Sequence, residues 1–365
     1  MSFESGSVSC RMFFVPRALP DDAVERFASQ CAPALESLKD VPIQGWVGGR
    51  HLLDRMIQED NAYYGGYLRL SLMQAERKIP PALLKAEQTM EELAQMQATG
   101  SPALSRKVRA EIKQSIVDRL LPNMPPQLKG IQFVYDHTEQ IIYADCVSEK
   151  QLDAFQIHFA RAIGFALQPA MPDSAAMRLC NEDIQDWPPS SFTPDVDDSD
   201  ASSHPGEEFL TWLWFVAEQE RGGFDLDGQA VAVMIEGPLM FCMEGDGAHV
   251  TVLRKGSPLV SAEAKTSLMS GKKLSQAKLT LTVNDQAWVC TFDAREFVVR
   301  GLKLPDIERM DPISRFQERI RLMNEFRRFL LGAYTMFVKR RADASQWSNE
   351  VARIRQWVQD RRAAH

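Results

Sequence analysis

The sequence lacks the features that are typical of membrane proteins, secreted proteins and zinc-binding proteins. It has no run of the roughly 20 apolar residues that a membrane-spanning helix needs. The apolar run Met12–Val15 is too short for a signal-peptide core, and no basic region precedes it. No two of the six cysteines lie closer than 21 residues, which excludes a CxxC zinc or redox motif. These absences predict a cytoplasmic protein with buried thiols and no membrane partner.

Sequence motifs for common enzyme classes are also missing. Neither GxGxxG nor GxSxG occurs, and no two histidines have metal-ligand spacing. Ser270–Lys273 superficially resembles a phosphate-binding loop, but Thr266 replaces its first glycine and Lys273 replaces its Ser or Thr. We therefore expect no cofactor, no metal and no catalytic residue. A metal-dependent nuclease remains an alternative, with Asp136 or the acidic residues of 195–200 as its carboxylates.

The chain of 365 residues, 45% hydrophobic and 25% charged, is typical of two or three compact units. Strand and helix patterns are mixed without βαβ regularity, which predicts an α+β fold with mixed antiparallel sheets and long helices. Four regions are expected: an N-terminal α+β region with a basic helical projection, an acidic loose linker, a β-rich half and C-terminal helices. Their bounds are 1–175, 176–208, 209–308 and 309–365.

Some element predictions bear on the site. Ser101 is expected to cap a basic helix that runs to Leu121. Gly237-Pro238 is expected to turn a hairpin, and the apolar segment Phe209–Val216 is of uncertain type. The last helix, Ala344–Arg362, carries Trp347 and Trp357 on one face.

Charge is segregated along the chain, although the net charge is −7. Residues 181–208 contain nine acids and no Lys or Arg, whereas residues 309–365, 252–303 and 69–129 carry net charges of +7, +5 and +4. Such asymmetry favours a polyanionic partner, since Lys and Arg neutralise phosphates without precise spacing. Ordinary solvated helix faces are the alternative. An acidic segment can also compete with DNA or simply aid solubility.

Candidate DNA-binding residues fall into two groups, one in the C-terminal half and one on the helix after Ser101. Basic residues are not interleaved with aromatic residues, so duplex backbone is a better match than single strands. The candidates are Arg254, Lys255, Lys272, Lys273 and Lys278, with Arg106, Lys107, Arg109 and Lys113 on the helix.

The order of several short motifs resembles the RdgC family of bacterial recombination-associated proteins. The resemblance covers most of residues 10–172 and 250–340. The motifs are Gly45–Val47, Glu76–Pro81, Leu120–Pro122, Tyr143–Cys146, Leu259–Glu263, Ser270–Lys273, Lys278–Leu281 and a Phe-rich C-terminal helix.

The resemblance implies an elongated subunit in a ring-shaped homodimer with a basic central hole. It implies nucleoid-associated binding of double-stranded DNA with little sequence preference, and restraint of a RecA-type recombinase. By the family pattern Arg254, Lys255 and Lys272 face DNA, and Lys78 and Lys113 match basic positions. Some members are described as exonucleases, although no residues here support that activity.

Two departures and one further alternative accompany this interpretation. The family pattern has Arg and then an aromatic residue after Leu-Leu-Pro, at the contact that closes the ring, whereas this sequence has Asn123 and Pro125. A protein-interaction scaffold, docked through the Trp347 and Trp357 face, is the alternative to a DNA-binding protein.

Overall fold

The computed structural model describes residues 3–39, 41–198, 204–219, 222–243, 250–254 and 261–360. The strands of this part are β1 Val8–Phe14, β2 Ile43–Gly48, β3 Tyr63–Tyr64, β4 Tyr67–Arg77, β5 Pro126–Asp136, β6 Ile141–Ala144, β7 Gln168–Pro169, β8 Gly223–Leu226, β9 Gln229–Cys242, β10 Thr251–Leu253, β11 Lys273–Val283, β12 Gln286–Asp293 and β13 Val298–Lys303. The helices are α1 Ala23–Ser29, α2 Glu59–Ala62, α3 Pro81–Thr99, α4 Arg106–Leu120, α5 Glu149–Ile163, α6 Pro172–Cys180, α7 Pro205–Gln219, α8 Ala262–Met269, α9 Pro312–Ala342 and α10 Ala344–Asp360.

The described strands form one antiparallel sheet that runs through both halves of the chain. Its order is β10-β9-β11-β12-β13-β1-β6-β5-β4-β2, with β3, β7 and β8 paired beside this path. Strand β1 joins the halves, since it pairs with β13 on one side and β6 on the other. The α+β class is therefore confirmed, whereas the division into four regions stays a prediction.

The core of the N-terminal half is an aromatic cluster between the sheet and helices α1 and α5. Trp46 on β2 packs edge-on against Phe27 and Phe133, with ring centroids 4.8 and 5.5 Å apart. Phe155 and Phe159 of α5 complete the cluster. This packing fixes α5 across the sheet, and the N-terminus of α5 then overhangs the ends of β2, β4 and β5.

The apolar segment Phe209–Val216 is the centre of a buried helix, α7. Every residue from Gly206 to Val216 is buried. The segment Phe209–Val216 is apolar at every position except Thr211, as expected for a helix buried on all sides. Helix α10 closes over it: Trp212 Nε1 donates a 2.8 Å hydrogen bond to Glu350, and the Trp214 and Trp357 rings meet edge-on. Trp347 and Trp357 are only 5% and 6% exposed. The docking face expected for a protein partner is therefore occupied within the chain.

Two local predictions were wrong. Gly237-Pro238 does not turn a hairpin, because β9 continues through it with an irregular register against β11. Proline lacks an N–H and is tolerated in a strand at such irregularities. The basic helix begins later than expected, since the Ser105 side chain, not Ser101, accepts the Val108 N–H.

The acidic segment is not loose where it is described. Phe192, Ser191 and Thr193 are buried. Asp198 Oδ1 accepts the Ser191 N–H and pairs with Arg355 at 2.8 Å, and Trp347 donates to Ser190. The polar composition suggested disorder, but several of these polar groups are satisfied by α10. We call residues 182–198 the acidic strap.

Candidate nucleic-acid interface

Helices α3 and α4 form a projecting hairpin that carries one basic group of candidates. They pack mainly against each other, and Ile116 is the one buried side chain on the two helices. Arg119 pairs with Glu87 and Glu91 of α3 at 2.8 and 2.9 Å. These pairs hold the helices together while most of the surface stays in solvent.

The four predicted cations of α4 differ in whether a carboxylate lies near them. Arg109 lies 3.8 Å from Glu92 of α3, and Lys107 lies 4.0 Å from Glu111. Among the described residues, no carboxylate lies within ion-pair distance of Arg106 or Lys113. Ion pairs this long between exposed side chains contribute little and break readily, so all four cations can turn to a phosphate backbone.

A second group lies at the outer end of the sheet, around β9 to β11. Lys272 Nζ donates to Thr251 Oγ1 of β10 at 2.7 Å, and exposed Arg254 follows the same strand. Lys278 lies opposite Glu236 in the β9–β11 register and pairs with it at 2.7 Å. The pairing of β10, β9 and β11 therefore places Arg254, Lys272 and Lys278 at the outer end of the sheet, with Lys278 six residues further along the chain than Lys272. We call this end of the sheet the β10 corner. Lys255 lies outside the described residues.

Lys273 does not belong to this surface. It is 2% exposed, and its Nζ lies 3.7 Å from Glu208 Oε1 and over the Phe192 ring. Burial lowers the pKa of Lys273, while the neighbouring carboxylates of Glu208 and Glu207 oppose that shift. The prediction that Lys273 binds DNA is corrected: β11 is buried at its first residues, and the Lys273 ammonium lies against Glu208 and Phe192. Lys272 precedes the strand, and its ammonium reaches Thr251 on the edge strand β10.

Lys78 lies apart from both groups, in a cleft that it shares with Lys129 and Lys150, two lysines that the sequence analysis did not single out. Lys78 and Lys129 both pair with Glu76, at 2.7 and 3.3 Å. The hydrogen bond from Lys78 and the charge of Lys129 lower the pKa of Glu76. Lys150 at the start of α5 lines the same cleft. Only the β4–β5 register, which no local motif reveals, brings Lys129 beside Gln74 and close to Lys78.

The acidic strap contacts the turn that carries Lys272. Thr193 Oγ1 donates to Met269 O at 3.1 Å, and a Cβ on Gly271 would lie 3.3 Å from Val196 Cγ2. Gly271 has φ +87°, the left-handed conformation expected where α8 ends. Exposed Asp195 and Asp197 flank Val196. Negative charge is thus held beside the β10 corner.

The nuclease alternative finds no support in the carboxylates that the structure describes. Asp136 Oδ1 accepts the N–H groups of Thr138 and Glu139, and its Oδ2 accepts from Asn324 at 2.7 Å. Asp136 thereby holds the β5–β6 turn against α9. Within the described ranges, no group of three or more His, Cys, Asp or Glu side chains could hold a metal ion. In the same ranges, no helix is long and apolar enough to span a bilayer.

Fold and site together define an α+β protein with basic surfaces on a helical projection and at a sheet corner. Residues 25–187 match the family model described as "Putative exonuclease, RdgC". The chain is also 24% identical over 246 residues to the recombination-associated protein RdgC of Pseudoalteromonas atlantica. That match covers 67% of this chain and 65% of the relative, so it spans a little under two thirds of the relative's length. The resemblance to the RdgC family is confirmed.

Proposed function

We propose that this protein binds double-stranded DNA without sequence specificity and limits the access of a RecA-type recombinase to it. The observation that carries the proposal is the exposed basic face of α4, which lies inside the region that matches the RdgC family model. Cations on a solvent-exposed helix suit a phosphate backbone, since backbone binding requires charge but no fixed spacing. The β10 corner supplies Arg254, Lys272 and Lys278 as a second contact.

The proposal includes a homodimer that encircles DNA, as the family resemblance implies, and association with the nucleoid. Asn123 follows the last turn of α4, where its side chain donates to Arg119 O at 3.1 Å. It therefore caps its own helix, at the position where the family pattern has an arginine. We expect a dimer contact on the projection to use apolar groups in the middle of α3, of which Met90 and Leu93 are 58% and 52% exposed.

The test is fluorescence anisotropy of a labelled random-sequence duplex, titrated with the protein in a magnesium-containing buffer at two salt concentrations. We expect saturable binding whose log K falls by about 0.9 per neutralised phosphate for each tenfold rise in salt. The double variant Arg254→Glu, Lys272→Glu should weaken binding by at least about tenfold, since each reversed charge repels a phosphate. Unchanged affinity in that variant contradicts the role of the β10 corner.

Each endpoint sample is then run on a denaturing gel. Intact DNA agrees with a binding protein, and shortened DNA would favour a nuclease. A strand-exchange reaction with a RecA-type recombinase, with the duplex preincubated with this protein, tests the second half of the proposal. Strand exchange should slow in proportion to the occupancy measured by anisotropy, and exchange that proceeds unchanged on saturated duplex would contradict it.

A further inference from the structure

A cleft opens where the sheet of the N-terminal half extends past α5. The buried row Trp46, Leu72 and Ile131 ends the aromatic core, and the next row across β2, β4 and β5 is Gln44, Gln74 and Lys129. Helix α5 covers the first row and overhangs the second with its N-terminal turn. The cleft has a volume of about 370 Å³, within the range of small-molecule sites.

Positive charge dominates the walls of this cleft. Lys78, Lys129 and Lys150 line it, with Glu76 as the one carboxylate among the described residues of its walls. Formal charges of +3 and −1 leave +2 around the opening. Glu76 is shared between Lys78 and Lys129, whereas Lys150 stands on the opposite wall at the start of α5. Ammonium groups on two facing walls suit an anion held between them.

The rest of the cleft lining is apolar or carries amide groups, and it suits an organic group rather than a bare anion. Leu72, Ile131 and Ala154 supply an apolar floor, and Gln44, Gln74 and Gln151 supply amide groups around it. His158 Nε2 lies 2.8 Å from Gln44 Oε1 and fixes that side chain at the base of the cleft. A flat group with polar edges fits an apolar floor ringed by amides, because side-chain amides can both donate to and accept from a nucleobase edge.

We propose that this cleft binds one nucleotide, with its phosphate between Lys129 and Lys150 and its base over Leu72 and Ile131. The nucleotide can be a free nucleoside monophosphate or the 5′-phosphorylated end of a DNA strand. Both sources present the same terminal phosphate and base. The site is separate from the α4 face and the β10 corner, so it does not depend on duplex binding through them.

The experiment is calorimetric titration of the full chain at about 50 mM salt, where charge attraction is weakly screened. The probes are thymidine monophosphate, thymidine, inorganic phosphate and the dinucleotide pdTdT with and without its 5′-phosphate. The variant is Lys129→Gln with Lys150→Gln, and the matched control is Lys303→Gln, an exposed lysine on β13. Duplex affinity is measured on the same preparations by anisotropy.

The proposal predicts saturable binding of thymidine monophosphate to the parent protein and to the control variant with equal affinity. Binding to the double variant should be at least about tenfold weaker, which corresponds to about 1.4 kcal/mol. Tighter binding of pdTdT than of the mononucleotide, abolished when its 5′-phosphate is removed, identifies a strand end as the source. Inorganic phosphate binding as tightly as the nucleotide overturns the proposal, and so does absence of binding or equal binding to all variants. The double variant should keep duplex affinity within about twofold, which separates failure of this proposal from failure of duplex binding.

Discussion

The ammonium of Lys273 lies 3.7 Å from a carboxylate oxygen of Glu208, and both side chains are buried. Glu208 also pairs with Arg341 at 3.3 Å and accepts the Ser190 N–H at 2.8 Å. One carboxylate therefore joins β11, α9 and the acidic strap. Lys272, one residue earlier, has its ammonium at the sheet edge on Thr251. Neighbouring lysines thus have different roles, the first at the proposed DNA-binding corner and the second in the core.

Replacement of Lys273 by Met should destabilise the fold without weakening DNA binding by the folded protein. Removal of the Lys273 ammonium leaves the buried Glu208 carboxylate with Arg341 as an ion-pair partner but takes away one of its two close cations. Loss of one such buried interaction costs about 1–3 kcal/mol. Urea unfolding should show that decrease in stability, and anisotropy should show duplex affinity within about twofold of the parent. Lys303→Met is the exposed control and should change stability by less than about 0.5 kcal/mol. Equal stability of the two variants would contradict the structural role of Lys273.

Local sequence patterns predicted the helix starts and turns that are determined by contacts between residues close together in the chain. Asp311 accepts the N–H groups of Ile313 and Ser314 and starts α9 as its sequence predicts. Ser148 caps α5 in the same way. Asn284 and Asp285, with φ 48° and 65°, form the two-residue turn between β11 and β12, and Asn and Asp are residue types that favour such positive-φ hairpin turns. Each of these signals acts within four residues of its effect.

The sequence did not predict features that depend on contacts between residues distant along the chain. The acidic strap has a disordered composition, yet Trp347 and Arg355, more than 150 residues later, supply its hydrogen bonds. Lys129 and Lys150 join the cleft through strand register and through the packing of α5, and no spacing rule connects them. Lys273 shows the same limit, since a lysine pair beside a glycine gives no sign of which ammonium is buried.

The basic face of α4 should account for part of the salt dependence of duplex binding. We expect simultaneous replacement of Arg106, Lys107, Arg109 and Lys113 by Gln to weaken binding and to reduce the slope of log K against log salt by about 0.9 for each phosphate that the helix no longer neutralises. Glutamine has a helix propensity similar to that of Lys and Arg, so the helix should persist. Circular dichroism checks that persistence. Lys39→Gln, at an exposed position, is the control, and an unchanged slope in the α4 variant would exclude this face from the interface.

Acid should selectively weaken the start of α10. The Asp343 carboxylate accepts N–H groups of Ser345 and Gln346, and these bonds lower its pKa to about 2. A carboxyl whose pKa is lowered by folding adds stability above its unfolded pKa of about 3.9, and that stability disappears as pH falls toward the folded value. Urea unfolding of the parent and of Asp343→Asn should therefore differ at pH 5 and converge toward pH 2. A difference that stays constant over this range would show that the carboxylate charge is not responsible.

Asp195 and Asp197 should weaken DNA binding at the β10 corner. They flank Val196, which packs on Gly271 directly before Lys272, so their charges lower the positive potential there. Replacement of both by Asn should strengthen duplex binding about two- to fivefold at 50 mM salt, and the increase should shrink at 300 mM because the Debye length falls with salt. Asp60→Asn with Asp306→Asn removes the same net charge from other exposed positions and is the control. An equal increase in both double variants would mean that net charge alone, and not the position of the acidic strap, sets the affinity.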